Sequence, residues 1–189
     1  MSRHQDSTID NSTGSSVPRA FEGLPPYSFV PGGPWPHPLS SPQGHSYSEK
    51  SGGCEPIVED HWRISPTYLR GVALFNAGYY WEAHEAWESL WHAHNRKGPI
   101  ASVFQALIKL AASGVKVRQQ QPHGIVTHAL RAAALFESTR KDVGPKRLGL
   151  DLDLMARFAR GIAAEPKMPS GTREDRVFRV FSFEIEPED

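Results

Sequence analysis

Four residues with the chemistry of a metal or acid–base site stand close together in the chain: His84, Glu85, Glu88 and His92. If the stretch is helical, successive residues turn by about 100°, so the four side chains share an arc of roughly 100°. Imidazoles and carboxylates are ligands of divalent metal ions, and helical bundles build metal sites from such spacings. The spacing therefore predicts a ligand or metal site on one face of a helix.

The same four groups admit two other interpretations. If they are buried together, they can act as a general acid and a general base. Alternatively, the face is solvated, or Glu85 and Glu88 accept hydrogen bonds from buried amides and only hold the fold. The pattern differs from the zinc-protease motif, because Glu88 stands where the second histidine of that motif would be. The spacing alone leaves these interpretations open.

Residues outside this helix are needed to complete a site. His37 and His45, in the N-terminal part of the chain, are candidate further ligands. Trp81 falls inside the polar arc, where a tryptophan is unexpected if the face only meets water, so we expect another segment to cover it. A divalent metal ion is the one cofactor that the pattern suggests. The candidates for lining a pocket are Asn76, Trp81, Trp91, Gln105, Lys109 and Lys116.

Apolar residues that recur with a helical period predict five helices joined by short loops, and hence antiparallel neighbours. Ser65 and Pro66 suit the start of the first helix, and Gly78 suits the turn that ends it. The third helix is the most apolar and should be central. The predicted helices run from about 65 to 76, 80 to 94, 99 to 119, 125 to 140 and 151 to 164.

Composition divides the chain into four segments. Residues 1–20 are polar and cannot bury enough apolar surface to fold, so we predict a disordered tail. Residues 21–58 are rich in Pro and Gly but also aromatic, which predicts an extended arm partly docked on the rest. The helical domain spans 59–165. Residues 166–189 are predicted to form an extended C-terminal tail that packs as an arm or pairs with the first arm.

The charge balance limits the partners. Lys and Arg together number 21, as do Asp and Glu, so the formal net charge is zero and the basic footprint of a nucleic-acid binder is missing.

The single cysteine, Cys54, excludes an internal disulfide and a cysteine-based zinc site. The N-terminus lacks the apolar core of a secretion signal, and no long unbroken apolar run stands in the sequence. We therefore expect a cytoplasmic protein that binds neither nucleic acid nor membrane.

A longer motif surrounds the four polar residues. A Phe-Asn-x-Gly turn at residues 75–78 precedes a stretch, 84–91, that carries His-Glu, a further Glu and a Trp. This pattern resembles the signature of the domain of unknown function 309 family. The resemblance continues through residues 104–112, which are similar to the family's Gln-Gly-Leu-Ile-x-Leu-Ala segment. It covers about residues 65–140.

The resemblance implies a compact all-α domain whose first hairpin is similar to a tetratricopeptide hairpin, and it implies no activity. Two departures from the family pattern stand out. Ala106 replaces a usual Gly, and Lys116 stands where many members carry a histidine, a change that suits an anionic ligand better than a metal ion. The motif positions, to which the resemblance assigns no role, are Asn76, Gly78, His84, Glu85, Glu88, Trp91 and Gln105.

From these observations we predict an all-α fold, a compact antiparallel bundle of about five helices with extended N- and C-terminal arms. The predicted function is a binding or scaffolding module with a polar pocket for a protein or a small molecule. The alternatives are a hydrolase-like, metal-dependent enzyme that uses His84, Glu85 and Glu88, and a purely structural polar network. Sequence does not decide between enzyme and binding module, and it gives neither the oligomeric state nor the process served.

Overall fold

The computed structural model describes residues 23–48 and 54–188. The predicted disordered tail, residues 1–20, lies outside these residues. The fold is all-α, as predicted, and its only sheet in the described part of the chain is a two-residue hairpin. The elements are a 3-10 helix (Glu59–Ile64), α1 (Pro66–Asn76), α2 (Tyr80–Ala93), α3 (Gly98–Arg118), α4 (Pro122–Val143), β1 (Lys146–Arg147), β2 (Leu150–Asp151) and α5 (Leu152–Ala164).

Consecutive helices pack against one another, α1 on α2, α2 on α3, α3 on α4 and α4 on α5. Helix α3 lies in the middle, as its apolar composition predicts, and its side chains Val103, Phe104, Leu107 and Leu110 are fully buried. Its length and hydropathy would also allow it to cross a membrane, although no long unbroken apolar run was found in the sequence. Because 67% of its most apolar window is buried inside the fold, α3 has the character of a core helix.

Local capping explains where several helices begin and end. Ser65 accepts a hydrogen bond from the Tyr68 amide, and Pro66 occupies the first turn of α1, as predicted. Gly78 follows α1 with φ +91°, and the Cα of Gly78 lies so close to Phe178 that an added Cβ would be 3.0 Å from its carbonyl. The turn after α1 is therefore fixed by the C-terminal tail as well as by the glycine conformation.

Two parts of the helical layout differ from prediction. Helix α4 starts at Pro122 and continues to Val143, so it is longer than the predicted 125–140. Pro122 begins the helix because the first helical position needs no amide donor. The strands β1 and β2 were not predicted; they turn through Leu148 and Gly149, which both have positive φ, +54° and +74°.

Both extended arms are packed onto the helices. In the N-terminal arm Tyr27, Phe29 and Val30 are buried, and in the C-terminal tail Phe181 and Ile185 are buried. The arms touch each other, since the Ser28 amide donates to the Arg176 carbonyl at 2.7 Å. The apolar side chains of the described arms therefore cover a part of the core that the helices alone would leave exposed.

Replacing Gly114 with alanine is expected to disturb both α3 and the C-terminal tail. An added Cβ would lie 2.6 Å from the Tyr80 ring, whose hydroxyl accepts hydrogen bonds from the Val180 and Phe181 amides. Overpacking of this kind costs about 1–3 kcal/mol of unfolding free energy, measured by urea denaturation. Gly161 in α5 is the matched control, because nothing lies within 4 Å of its added Cβ. Gly161→Ala should be neutral or stabilising by about 0.4–1 kcal/mol, and equal losses in both variants would contradict this account.

A second prediction concerns His94, which follows α2. Its Nε2 accepts a hydrogen bond from the Ile57 amide at 3.1 Å, and burial lowers its pKa below the usual value of 6.5. The unfolded chain therefore binds the proton more tightly than the folded chain, so stability is lost as the pH falls below 6.5 and through the folded pKa. His94→Ala should cost about 1 kcal/mol at neutral pH and flatten the acid dependence of unfolding. His123→Ala, at an exposed position, should keep the wild-type dependence.

Candidate functional site

Three polar side chains meet on one turn of α2. The nearest ligand atoms of His84, Glu85 and Glu88 all lie within 4.8 Å of one another. His84 Nδ1 is 3.4 Å from Glu85 Oε1, and these two side chains are 27% and 35% exposed. We call His84, Glu85 and Glu88 the α2 cluster. The cluster is therefore neither fully in the core nor fully in solvent.

The amphipathic pattern of α2 places this cluster. Tyr80, Ala83, Trp87 and Leu90 form the neighbouring apolar arc, and each is 0–1% exposed. Their burial fixes the rotation of the helix, so the residues one step around it must lie at the border between core and solvent. Within residues 23–48 and 54–188, neither Glu85 nor Glu88 accepts a hydrogen bond from a backbone amide.

A histidine that the sequence reasoning missed lies near the cluster. His128 on α4 has a buried Nδ1 atom with no hydrogen-bond partner. Burial lowers the pKa of His128, and positive charge on Lys109, Lys116, Arg131 and His84 lowers it further. His128 is thus neutral at neutral pH and lies within electrostatic reach of the α2 cluster across α3. The sequence offered only a weak indication that His128 is partly buried, namely its position next to the apolar Ala129.

A cleft of about 360 Å³ opens between α3 and α4. It is lined by Gln105 and Lys109 from α3 and by Arg131, Ala134 and Leu135 from α4. Lys109 and Arg131 have neither a hydrogen bond nor an ion pair with any other residue of the described ranges. The cleft therefore presents two cations that are not neutralised from within this part of the chain.

The other three histidines predicted as ligands lie apart from the cluster. His45 places Nε2 3.3 Å from Glu82 Oε1 and Nδ1 3.0 Å from the Ser46 hydroxyl. His37 accepts hydrogen bonds at Nδ1 from the Leu39 and Ser40 amides. His92 is exposed and contacts Arg96 at 3.2 Å. The structure thus brings His84, Glu85 and Glu88 together, and neither His37, His45 nor His92 joins them.

Trp81, the unexpected aromatic in the polar arc, lies under the N-terminal arm. Its ring centroid is 5.3 Å from that of Phe29 and 5.2 Å from that of His37, both in edge-to-face contact. The arm covers this end of the arc and stops short of His84, whose side chain is 27% exposed. The arm therefore bounds the open cluster on one side.

Three predicted pocket residues have other contacts. Asn76 exchanges two hydrogen bonds with the Ile185 backbone, at 2.8 and 2.9 Å, and so anchors the C-terminal tail. Lys116 donates to Gln119 Oε1 at 2.7 Å and to Gln121 Oε1 at 2.9 Å. Trp91 packs against Arg96, with the guanidinium carbon 5.3 Å from the ring centroid. Of the predicted lining residues, Gln105 and Lys109 line the cleft.

Two buried charges were also missed, Glu82 and Arg118. Glu82 Oε1 accepts the Phe29 amide at 2.8 Å, while Glu82 Oε2 is buried without a partner. Arg118 is 1% exposed and donates to the carbonyls of Ser28, Thr172 and Asp175. Burial lowers the pKa of Arg118, whereas the negative charges of Glu82 and Asp175 oppose that shift. These hydrogen bonds hold the two arms on the helical bundle, so Glu82 and Arg118 have a structural role.

The comparison with known proteins supports the resemblance seen in the motif. The family model described as "Domain of unknown function (DUF309)" matches residues 68–128. No curated protein and no solved structure gives a significant match to the chain. The matched segment runs from α1 into α4 and contains the whole α2 cluster, Lys109 and His128. This match agrees with the family that the sequence motif resembles.

Proposed function

We propose that this domain is a ligand-binding module and that the first ligand is a divalent metal ion held by the α2 cluster. The observation that carries the proposal is the convergence of three ligand atoms, one imidazole nitrogen and two carboxylate oxygens, within 4.8 Å. Ligands about 2.1 Å from a tetrahedral metal ion lie roughly 3.4 Å apart, which is the distance between His84 Nδ1 and Glu85 Oε1. Small rotations of Glu88 would bring the third oxygen to a similar distance.

The partial exposure of the cluster supports a binding role over a purely structural one. A structural carboxylate is expected to accept hydrogen bonds from buried amides, and neither Glu85 nor Glu88 does so among the described residues. Three protein ligands with an open side are also typical of sites that admit a further ligand, whereas structural zinc sites use four protein ligands. The proposed ion would therefore keep a position for a small molecule or water.

A metal-dependent hydrolase is the second candidate, and His128 favours it. A metal ion bound at the cluster would supply Lewis acidity and lower the pKa of a bound water molecule. Burial and the nearby positive charges keep the pKa of His128 low, so its imidazole is neutral and can accept a proton at neutral pH. This role requires the buried, unpartnered Nδ1 of His128 to turn towards the bound water.

The metal proposal predicts binding of Mn²⁺ or Zn²⁺ to the full chain prepared without chelator. Isothermal titration calorimetry should show one site, and an ion present at 100 times its Kd should add about 2.7 kcal/mol to the free energy of unfolding. His84→Ala and Glu88→Ala should each weaken binding by at least about tenfold, because each removes one ligand. The readouts are the Kd and the shift in melting temperature.

His92→Ala is the matched control, since His92 lies on the same helix but is exposed and outside the cluster. It should bind the ion like the wild type. Failure of the wild-type protein to bind either ion would overturn the proposal. So would an equal loss of affinity in His92→Ala and His84→Ala, because binding would then depend on surface histidines in general.

A further inference from the structure

We infer that the second ligand of this site carries a phosphoryl group, which binds to Lys109 and Arg131 in the cleft between α3 and α4. The inference rests on the proposed function for the position of the metal ion, and it adds the chemical class of the molecule bound beside it. The observation behind it is a cleft of about 360 Å³ whose two cations have no hydrogen-bonded or ion-paired partner in the described ranges.

The charges around the site favour an anion with more than one negative charge. Glu85 and Glu88 would balance the two charges of a divalent ion. Lys109 and Arg131 then leave two positive charges that nothing in the described cleft offsets. Arginine and lysine side chains that point into one small space are the groups that proteins use to hold phosphate, arginine through paired donors and lysine as a point charge. A phosphate monoester dianion would neutralise both.

His128 interacts electrostatically with cations of the cleft and with one residue of the α2 cluster. Its imidazole is within electrostatic reach of Lys109, Arg131 and His84. Lys116 on α3 is the fourth charged group that acts on the His128 imidazole. Nδ1 of His128 is buried and unpartnered, so one hydrogen-bonding position of its imidazole is unused within the described residues.

The other lining residues limit the size and character of the molecule. Gln105 adds an amide that can donate to an oxygen, and Ala134 with Leu135 adds an apolar wall. A cleft of about 360 Å³ is at the small end of the range for small-molecule sites. The fitting ligand is therefore a small organic phosphate with a short apolar part, not a protein or nucleic-acid surface.

Calorimetric titration of the full chain with phenyl phosphate and with inorganic phosphate, each with and without saturating Mn²⁺, tests the inference. Phenyl phosphate should bind with a Kd below about 1 mM and more tightly than inorganic phosphate, because its ring can contact Leu135. Lys109→Gln and Arg131→Gln should each raise the Kd at least about tenfold, the loss expected for one charge-assisted contact. Lys109→Arg should restore most of the affinity.

Lys141→Gln is the matched control, because Lys141 is an exposed cation on the same helix as Arg131 and lies outside the cleft. It should change the Kd less than about twofold. A loss in Lys141→Gln equal to that in Arg131→Gln would overturn the inference, since the anion would then respond to net charge alone. Equal affinity for benzoate and phenyl phosphate would overturn the phosphoryl assignment. Thermal unfolding of each variant confirms that it is folded.

The titrations with and without metal separate the two proposals. Phenyl phosphate binding that persists without metal, and in His84→Ala, would support the phosphate site even where no ion binds. Binding of Mn²⁺ without any binding of phenyl phosphate at about 1 mM would overturn the phosphate site and leave the metal proposal standing. Absence of binding by both probes would overturn both.

Discussion

The fold depends on one buried cation. The guanidinium of Arg118, at the end of α3, is 1% exposed and donates to one carbonyl of the N-terminal arm and two of the C-terminal tail. A buried charge is strongly unfavourable unless hydrogen bonds and opposite charge surround it. The arms supply the hydrogen bonds, and Glu82 and Asp175 supply the charge. Both Glu82 and Arg118 lie within the segment that the family model matches, whereas Ser28, Thr172 and Asp175 lie outside it. The hydrogen bonds of Arg118 therefore join the matched segment to both arms.

This arrangement also decides which part of α2 stays accessible. The N-terminal arm covers Trp81 and contacts one oxygen of Glu82, Oε1, through the Phe29 amide and His45. The α2 cluster begins one turn further along, and His84 is within electrostatic reach of His128 on α4. The same helix face is therefore divided between a structural half, closed by the arm, and an open half that carries the proposed site.

Much of the helical layout was predictable from the sequence, because it follows from short-range rules. Apolar periodicity located all five helices, and Ser65, Pro66 and Gly78 marked the limits of α1. Helix α4 was predicted to begin at residue 125, whereas it begins at Pro122, because a proline fits the first helical position. The convergence within the α2 cluster also followed from spacing along one helix. His128, Arg131 and the cleft could not be predicted, because their approach to α2 depends on how three helices pack, and an isolated histidine carries no periodic signal.

The contacts of Arg118 have a consequence for the order in which the chain can assemble. The Ser28 carbonyl accepts a hydrogen bond from Arg118, 90 residues later in the chain. The Ser28 amide donates to the carbonyl of Arg176, which is later still. The five helices, by contrast, pack with their neighbours in sequence. Contacts between residues close in sequence form first, because closing a long loop loses conformational entropy before the distant contacts can compensate for it. During synthesis, the N-terminal arm would remain undocked until Arg176 had left the ribosome, so the two arms would dock after the five helices had packed.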